Sequence, residues 1–423
     1  MNTKKTNSIL KEVLSEAKPN KNEIKEIANR FKDFKVKLLE KIKKLKVHVE
    51  IFVGGSFAKK TLIRKKEYDV DVFLRFDKRH RKEISELTEK ILNGFNKTKI
   101  HGSRDYFMIK LGKNIIFEVI PVLKIKNPKE AENITDLSYF HVNYVRKKVN
   151  PKVIDEIIIA KTFCHANGFY GAESYIKGFS GYGLELLIHH YGSFLKFIKT
   201  IAKTEDKLII DTEKHFKNKQ EIMMDLNTAK LASPIVLIDP TFKQRNALAA
   251  LSYETFKEFR KKCKNFLKNP GKHFFEKKEI DFDKIRKNAL KGKNEFLNIK
   301  TKTEKQEGDI AGSKLLKFYN FLEKEISKFF QIRNKGFVYE GGKTAKYFFV
   351  VKRKKEIVFH GPMLTDKKNV ERFRKKHKKT FNKGKRIYAE EKFNLTLKKF
   401  LQNWKIHNKK RMQEMSVEIF DII

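Results

Sequence analysis

Val49-Glu50-Ile51-Phe52-Val53-Gly54-Gly55-Ser56 is followed by Tyr68-Asp69-Val70-Asp71-Val72-Phe73-Leu74-Arg75-Phe76. An apolar run of β type ends in two glycines and a serine. A second apolar run opens with two carboxylates. Side chains alternate across a strand, so Asp69 and Asp71 share one face while Val70 and Val72 share the other. Carboxylates held that close repel each other, and a multivalent cation relieves the repulsion. Hard divalent cations such as Mg²⁺ take oxygen ligands and share them with substrate phosphates. The glycines let backbone approach a phosphate, and Ser56 adds a hydroxyl donor.

A Gly-Ser turn followed by a strand bearing Asp-x-Asp resembles the nucleotidyltransferase superfamily. The resemblance implies a third carboxylate on a neighbouring strand. The candidate is Glu118 in Asn114-Ile115-Ile116-Phe117-Glu118-Val119-Ile120-Pro121. A carboxylate inside so apolar a strand needs a reason to be there. Three carboxylates would hold two metal ions, one on an attacking hydroxyl and one on departing pyrophosphate. A lone Asp-x-Asp fits a solvated strand face equally well. Gly54-Gly55-Ser56 upstream and Glu118 downstream favour the metal site.

The 423 residues suggest about three domains at roughly 150 residues each. Hydrophobic content of 40% and charged content of 35% exclude a disordered or membrane-embedded chain. Two cysteines, Cys164 and Cys263, exclude a disulfide framework and a Cys-x-x-Cys metal pair, which fits a reducing cytoplasm. The N-terminal residues precede no apolar core of signal-peptide length, and no apolar run reaches spanning length, so no membrane role is expected. The net charge is +45, from 96 Lys+Arg against 51 Asp+Glu. Abundant Lys, Ile, Asn and Phe also match an AT-rich coding bias, but +45 exceeds what solubility requires and predicts a polyanionic partner.

Periodicity predicts mostly helix over 5–46, capped at Asn20 or Asn22, with a sheet beginning near Val47. A helix at 83–97 and strands near 106–111 and 114–120, joined at Gly112-Lys113, complete an α/β head. Lys161 and His165 share a helix face at i and i+4, and that helix stops at Gly168. Ser180 is a candidate N-cap for a helix through Leu184, Leu187 and Ile188. Asp239-Pro240 reads as a turn opening a helix before Arg245. Residues 201–235 read as a charged insertion. A helix at 253–268 ends at Asn269-Pro270-Gly271, and 272–310 is basic with weak periodicity. Beyond it a helix at 312–330 precedes short strands at 337–339, 347–351 and 357–359, the first two joined at Gly341-Gly342. Basic helices at 367–378 and 390–412 follow. Lysines beside Phe373 and Phe381 suit phosphate tracking.

Four further stretches occur in order: Asp136-Leu137-Ser138-Tyr139-Phe140-His141; Ala160-Lys161 through Tyr170-Gly171-Ala172-Glu173; Gly178-Phe179-Ser180-Gly181-Tyr182-Gly183-Leu184-Glu185; and Asp239-Pro240-Thr241-Phe242-Lys243-Gln244-Arg245. His360-Gly361-Pro362 and Glu371-Arg372-Phe373 come later. This ordered set, after this head, resembles the archaeal-type (class I) CCA-adding enzymes over nearly the whole chain. The resemblance implies an α+β multidomain protein. Its parts would be a polymerase beta-like nucleotidyltransferase head (1–145), a mostly helical neck (146–270), a body (271–335) and a basic α+β tail (336–423). It implies template-independent addition of C, C and A to the tRNA 3′ end from CTP and ATP, with Mg²⁺ on Asp69, Asp71 and Glu118. Gly55, Ser56, Lys59, His141, Lys161 and Tyr170 would bind the nucleotide, with Ser138 and Arg245 near its base. The tRNA 3′ end and acceptor stem would be the partner, and a homodimer stays open.

The chain departs from the family pattern in five places. Lys59 stands where Arg is usual, losing a bidentate fork. Asp69 replaces a common Glu and Glu118 a common Asp, each moving the carboxylate by a methylene. Leu137 and Tyr139 break the usual Arg-Thr-Pro neighbourhood. Two alternatives share the head: a poly(A)-polymerase-like or oligoadenylate-synthetase-like transferase, and an RNA-binding protein whose head is inactive.

Overall fold

Asn20 sets the start of the long N-terminal helix. Its side chain accepts from the Glu23 N–H at 2.9 Å while Glu23 Oε2 accepts from the Asn20 N–H at 2.7 Å, a capping box that satisfies two orphan donors. Residues 3–46 therefore form two helices, α1 (Thr3–Ala17) and α2 (Lys21–Leu45). The computed structural model describes residues 3–112, 114–277 and 279–423, and the chain divides after residue 278 into two compact units.

In the first unit, α2 buries Ile27, Phe34, Leu38 and Ile42 against a five-stranded sheet. Its strands are β1 (Val49–Val53), β2 (Tyr68–Phe76), β3 (Lys97–Ile100), β4 (Tyr106–Lys110) and β5 (Ile115–Leu123), in the order β1-β2-β5-β4-β3. Phe34 stacks on Phe117 of β5 at 4.9 Å. The central pair β2 and β5 is parallel, with Asp69 opposite Ile116 and Asp71 opposite Glu118. Between β1 and β2 lies the single turn α3 (Gly55–Ala58). The helix α4 (Ile84–Ile91) is shorter than the expected 83–97, because Lys97–Ile100 pair with β4 as β3. The expected junction at Gly112-Lys113 includes Lys113, which lies outside the described residues.

The rest of this unit is a helical layer: α5 (Ser138–Lys148), α6 (Pro151–Ala166), α7 (Gly181–Tyr191) and α8 (Phe194–Lys203). Phe163, Phe179, Phe194, Phe197, Phe259 and Phe266 fill its core, which also takes Leu10 and Val13 of α1. Ser180 caps α7, its hydroxyl accepting from the Gly183 N–H at 3.1 Å. The segment that reads as an insertion contains β6 (Leu208–Ile210), α9 (Lys219–Asp225) and α10 (Thr228–Leu231). With β7 (Ile235–Asp239) and β8 (Phe242–Asn246), β6 forms a three-stranded sheet. Asp239-Pro240 thus joins two strands, and Arg245 lies on β8 instead of a helix. Asp239 Oδ1 accepts from the Thr241 N–H at 2.9 Å, and this side-chain turn reverses the chain before a helix can start. The helix α11 (Tyr253–Lys268) occupies the expected residues.

The second unit holds α12 (Phe282–Lys291), β9 (Glu295–Lys302), α13 (Asp309–Phe329), β10 (Phe330–Tyr339), β11 (Thr344–Arg353) and β12 (Glu356–Met363). Then come α14 (Lys367–Lys376), β13 (Thr380–Lys383), β14 (Arg386–Lys392), α15 (Leu397–His407), α16 (Lys409–Glu414) and β15 (Ile419–Ile422). One sheet runs β10-β11-β9-β15 and another β12-β14-β13. Several elements cross the expected bounds. The 335/336 boundary falls inside β10, which pairs with β11 along its whole length. The two compact units divide after residue 278, beside the expected boundary at 270/271. Residues 390–412 are not one helix, because 386–392 pair with β12 as β14. Likewise 145/146 falls inside α5. Among the described residues, no helix is long and apolar enough to cross a membrane.

Candidate active site

Gly54 ends β1, and its N–H donates to the Asp71 carbonyl at 2.9 Å. This bond holds α3 against the start of β2. Gly55 has φ +59°, and a Cβ there would lie 1.5 Å from Asp71 Oδ2. Only glycine leaves room for that carboxylate and adopts that backbone without strain. The same turn lines one side of a cavity of about 580 Å³. Eight of the eleven expected site residues line it: Gly55, Ser56, Lys59, Asp69, Asp71, Glu118, Lys161 and Tyr170. Ser138, His141 and Arg245 do not.

The three carboxylates share the cavity but not a counterion of matching charge. Burial pushes the Glu118 carboxyl up to about 8, and the charges of Asp71 and Asp69 push in the same direction. Burial also raises Asp71, to about 6, although Lys59 opposes the shift. Among the described residues, the ion pair to this set is Lys65 Nζ to Asp69 Oδ2 at 3.6 Å, between half-exposed side chains. Among the described residues, no three His, Cys, Asp or Glu side chains close into a ligand group able to hold an ion unaided.

Two lysines of the same lining are tied to Glu185. Lys161 Nζ donates to Glu185 Oε1 at 2.7 Å, to Thr61 Oγ1 at 2.9 Å and to the Thr61 carbonyl at 3.2 Å. An ammonium has three N–H groups, so all of them are used within the protein. Lys59 Nζ donates to Glu185 Oε2 at 2.6 Å and keeps donors for the cavity. Glu185 is fully buried, and these two lysines hold its carboxyl down near 2 against the opposing effect of burial. Sequence reading missed Glu185. Its signal is the one that singles out Glu118: one carboxylate in an apolar element, here Gly183-Leu184-Glu185-Leu186-Leu187. Tyr170 packs on His165, ring centroids 4.0 Å apart. Burial and the nearby Lys65, Lys161 and Lys277 hold His165 down near 3, so its imidazole is neutral.

His141 and Arg245 meet at a second buried carboxylate, Asp239, which sequence reading also missed. His141 Nε2 lies 2.9 Å and Arg245 Nη1 2.7 Å from Asp239 Oδ2. Tyr182 and Thr241 donate to Asp239 Oδ1 at 3.1 and 2.8 Å. Tyr182 links the two clusters: His141 stacks on its ring at 4.0 Å, and Lys59 Nζ lies 5.8 Å from its centroid. Among the described residues, the buried Nε of Arg245 has no hydrogen-bond partner. Ser138 opens α5, half-buried. Asp136, beside it, is buried and accepts from Arg104 and from the Leu123 N–H, which pins that segment to β5.

Two known domain families match parts of the chain. Residues 155–276 match the family described as the second domain of tRNA nucleotidyltransferase. Residues 4–139 match the second messenger oligonucleotide or dinucleotide synthetase domain. A CCA-adding enzyme of Methanocaldococcus jannaschii is 29% identical over 398 residues, covering 90% of this chain and 86% of that one. Another, of Nanoarchaeum equitans, is 40% identical over 239 residues, 56% of this chain and 59% of that one. Among solved structures, the Cid1 poly(U) polymerase shares the fold at a TM-score of 0.52 and 13% identity, over 66% of this chain and 100% of that one. Nucleotidyltransferases of this kind use divalent metal ions, and one structure of that polymerase is described as bound to Mg and 3′-dATP. The chain is thus similar to archaeal CCA-adding enzymes along most of its length, and over residues 155–276 to the second domain of tRNA nucleotidyltransferase.

Proposed function

We propose that this chain completes the 3′ end of tRNA, adding C, C and A from CTP and ATP and releasing pyrophosphate, in the cytoplasm. The observation that carries this reading is one cavity lined together by Asp69, Asp71, Glu118, Lys59 and the Gly55-Ser56 turn. The donor set fits Mg²⁺: oxygen ligands only, mutually repelling, and short of a closed group, so that substrate phosphates would complete the coordination. When bound, the ion supplies charge neutralisation at the reacting phosphate.

The chain's own groups position the reactants. The glycine turn lets the triphosphate approach backbone, Ser56 donates from its hydroxyl, and Lys59 offers its remaining N–H groups. The tRNA 3′-hydroxyl attacks the α-phosphorus. A new P–O bond forms as the bond to pyrophosphate breaks. Catalysis is then orientation and electrostatic stabilisation. Arg245, held through Asp239 outside the cavity lining, would act on base choice only through Asp239 and the Tyr182 ring beside it. A site whose buried donors must be matched rejects a base that leaves them unpaired.

The test uses purified protein, Mg²⁺ and a tRNA ending at its discriminator base. With CTP alone the product should grow by two nucleotides and stop; with CTP and ATP, by three. Growth into a long A tract would favour a poly(A)-polymerase-like activity. Primer-free use of ATP would favour an oligonucleotide synthetase, and tRNA binding without incorporation an inactive head.

A further inference from the structure

The sheet β12-β14-β13 is covered on one side only. Ile387 and Ala389 are fully buried, and Phe359 packs on His377 beyond α14 at 5.2 Å. The register places His360 opposite Tyr388 and Tyr388 opposite Phe381. Alternation puts all three on the other face. They form a row across three strands: Phe381 and Tyr388 lie near parallel, centroids 5.6 Å apart at 19°, and His360 meets Tyr388 at 4.9 Å. Phe381 is 41% exposed. Lys383 and Arg386 form the next cross-strand pair on this face. On the far side of the row stand Val358 and Glu390, the latter paired with Lys379 at 3.5 Å.

An exposed row of rings on an open sheet face costs solvation unless something covers it. Charge selects the occupant. Residues 356–392 carry twelve Lys and Arg against five Asp and Glu, so an anionic partner is favoured over a neutral or basic one. Rings framed by cations match an unstacked nucleobase with its phosphates to either side. A regular duplex buries its base faces and would meet the cations alone.

We propose that this face binds unpaired RNA bases by stacking on Phe381 and Tyr388, with Lys383 and Arg386 on the flanking phosphates. The inference rests on the reading that the substrate is RNA, and it adds a mode of contact that the basic charge does not imply. The test measures binding of the full chain to a labelled RNA hairpin with an unpaired loop, to the same hairpin with abasic loop positions, and to a blunt duplex. Phe381→Ala should weaken binding to the intact loop about 5- to 150-fold, the range for one lost base stack. Its salt slope and duplex affinity should not change. Phe381→Leu, which keeps apolar bulk on an exposed site, should not restore binding, and Phe381→Ala should have no effect on the abasic hairpin. Unchanged loop affinity, an equal loss on the duplex, or a change only in oligomeric state would overturn the proposal. The last of these would make the face a contact between copies of this chain. Incorporation on truncated tRNA is scored separately. Its absence with loop-dependent binding intact ends the functional reading alone, and the converse ends the platform alone.

Discussion

Glu118 and Glu185 are both single carboxylates inside apolar elements that line one cavity, yet they are opposites electrostatically. Glu185 has two lysines and the Thr61 hydroxyl on its oxygens, and its carboxyl is held near 2. Glu118 faces two more carboxylates and is raised to about 8. Desolvation acts on both in the same direction; the neighbours decide the outcome. The difference separates a carboxylate whose charge is matched from carboxylates whose charge is not. Glu185 is complete and fixes two cations in place. Glu118, Asp71 and Asp69 are incomplete, and the deficit is what a cationic ligand would fill.

The largest expected effect follows on the incomplete side. Asp71→Asn should lower turnover by at least about 10²- to 10³-fold and leave tRNA affinity unchanged. A variant that incorporates labelled CTP normally, or one that also loses tRNA, breaks the contrast. Next comes the scaffold. Glu185→Gln leaves two buried ammonium groups without their anion and should cost about 3–5 kcal/mol of stability, read by thermal melting. The pH dependence carries the same sign. The folded-state pKa is depressed from 4.5 to about 2, so this stability is present above pH 4.5 and is lost as pH falls toward 2. The variant should lack that acid limb. Melting curves parallel to the parent's across this range would show that Glu185 is not the anchor.

The head was legible because its signals are local. The glycine turn, the alternation of Asp69 and Asp71 and the apolar strand around Glu118 each span a few residues, and each landed where expected. Asn20 was one of two expected caps, and its bond with Glu23 in the fold decides between them. What the sequence left illegible depends on distant partners. Lys161 shares a helix face with His165 by spacing, but only the fold brings it to Thr61 and Glu185, 100 and 24 residues away. β9 lies in a stretch of weak periodicity, yet β11 and β15 flank it on both sides, and pairing decides its state more than propensity does. Pro240 reads as a helix opener, but the Asp239 side chain had already closed a turn between strands.

A smaller effect should appear at Glu118. Burial and repulsion raise its pKa from 4.5 to about 8, so the folded chain holds a proton that the unfolded chain releases. Stability from this group is whole below pH 4.5 and falls as pH rises through 8. Glu118→Gln should therefore match the parent in acid and exceed it near pH 8 by about 1 kcal/mol, or about 2–4 °C, while turnover is lost. Melts without divalent ions test this. A destabilised variant at pH 8 would place Glu118 with Glu185.

The smallest effect lies between the two classes, at Lys65. Its ammonium is 3.6 Å from Asp69 Oδ2, and the two side chains are 39% and 46% exposed. Solvent screens such a pair to about 0–1 kcal/mol, so Lys65→Gln should barely move the melting temperature. It should still have a direction. Lys65 is a cation beside a site that wants cations, and it competes with any ion placed there. Removing it should tighten Mg²⁺ binding by about fivefold or less, the equivalent of that screened energy. Calorimetry without nucleotide reads this, above the Glu118 value of about 8, where its carboxyl is ionised in parent and variant alike. Weaker Mg²⁺ binding in Lys65→Gln would mean that Lys65 holds Asp69 in place as Lys59 and Lys161 hold Glu185, and the carboxylates of the cavity would then belong to the scaffold.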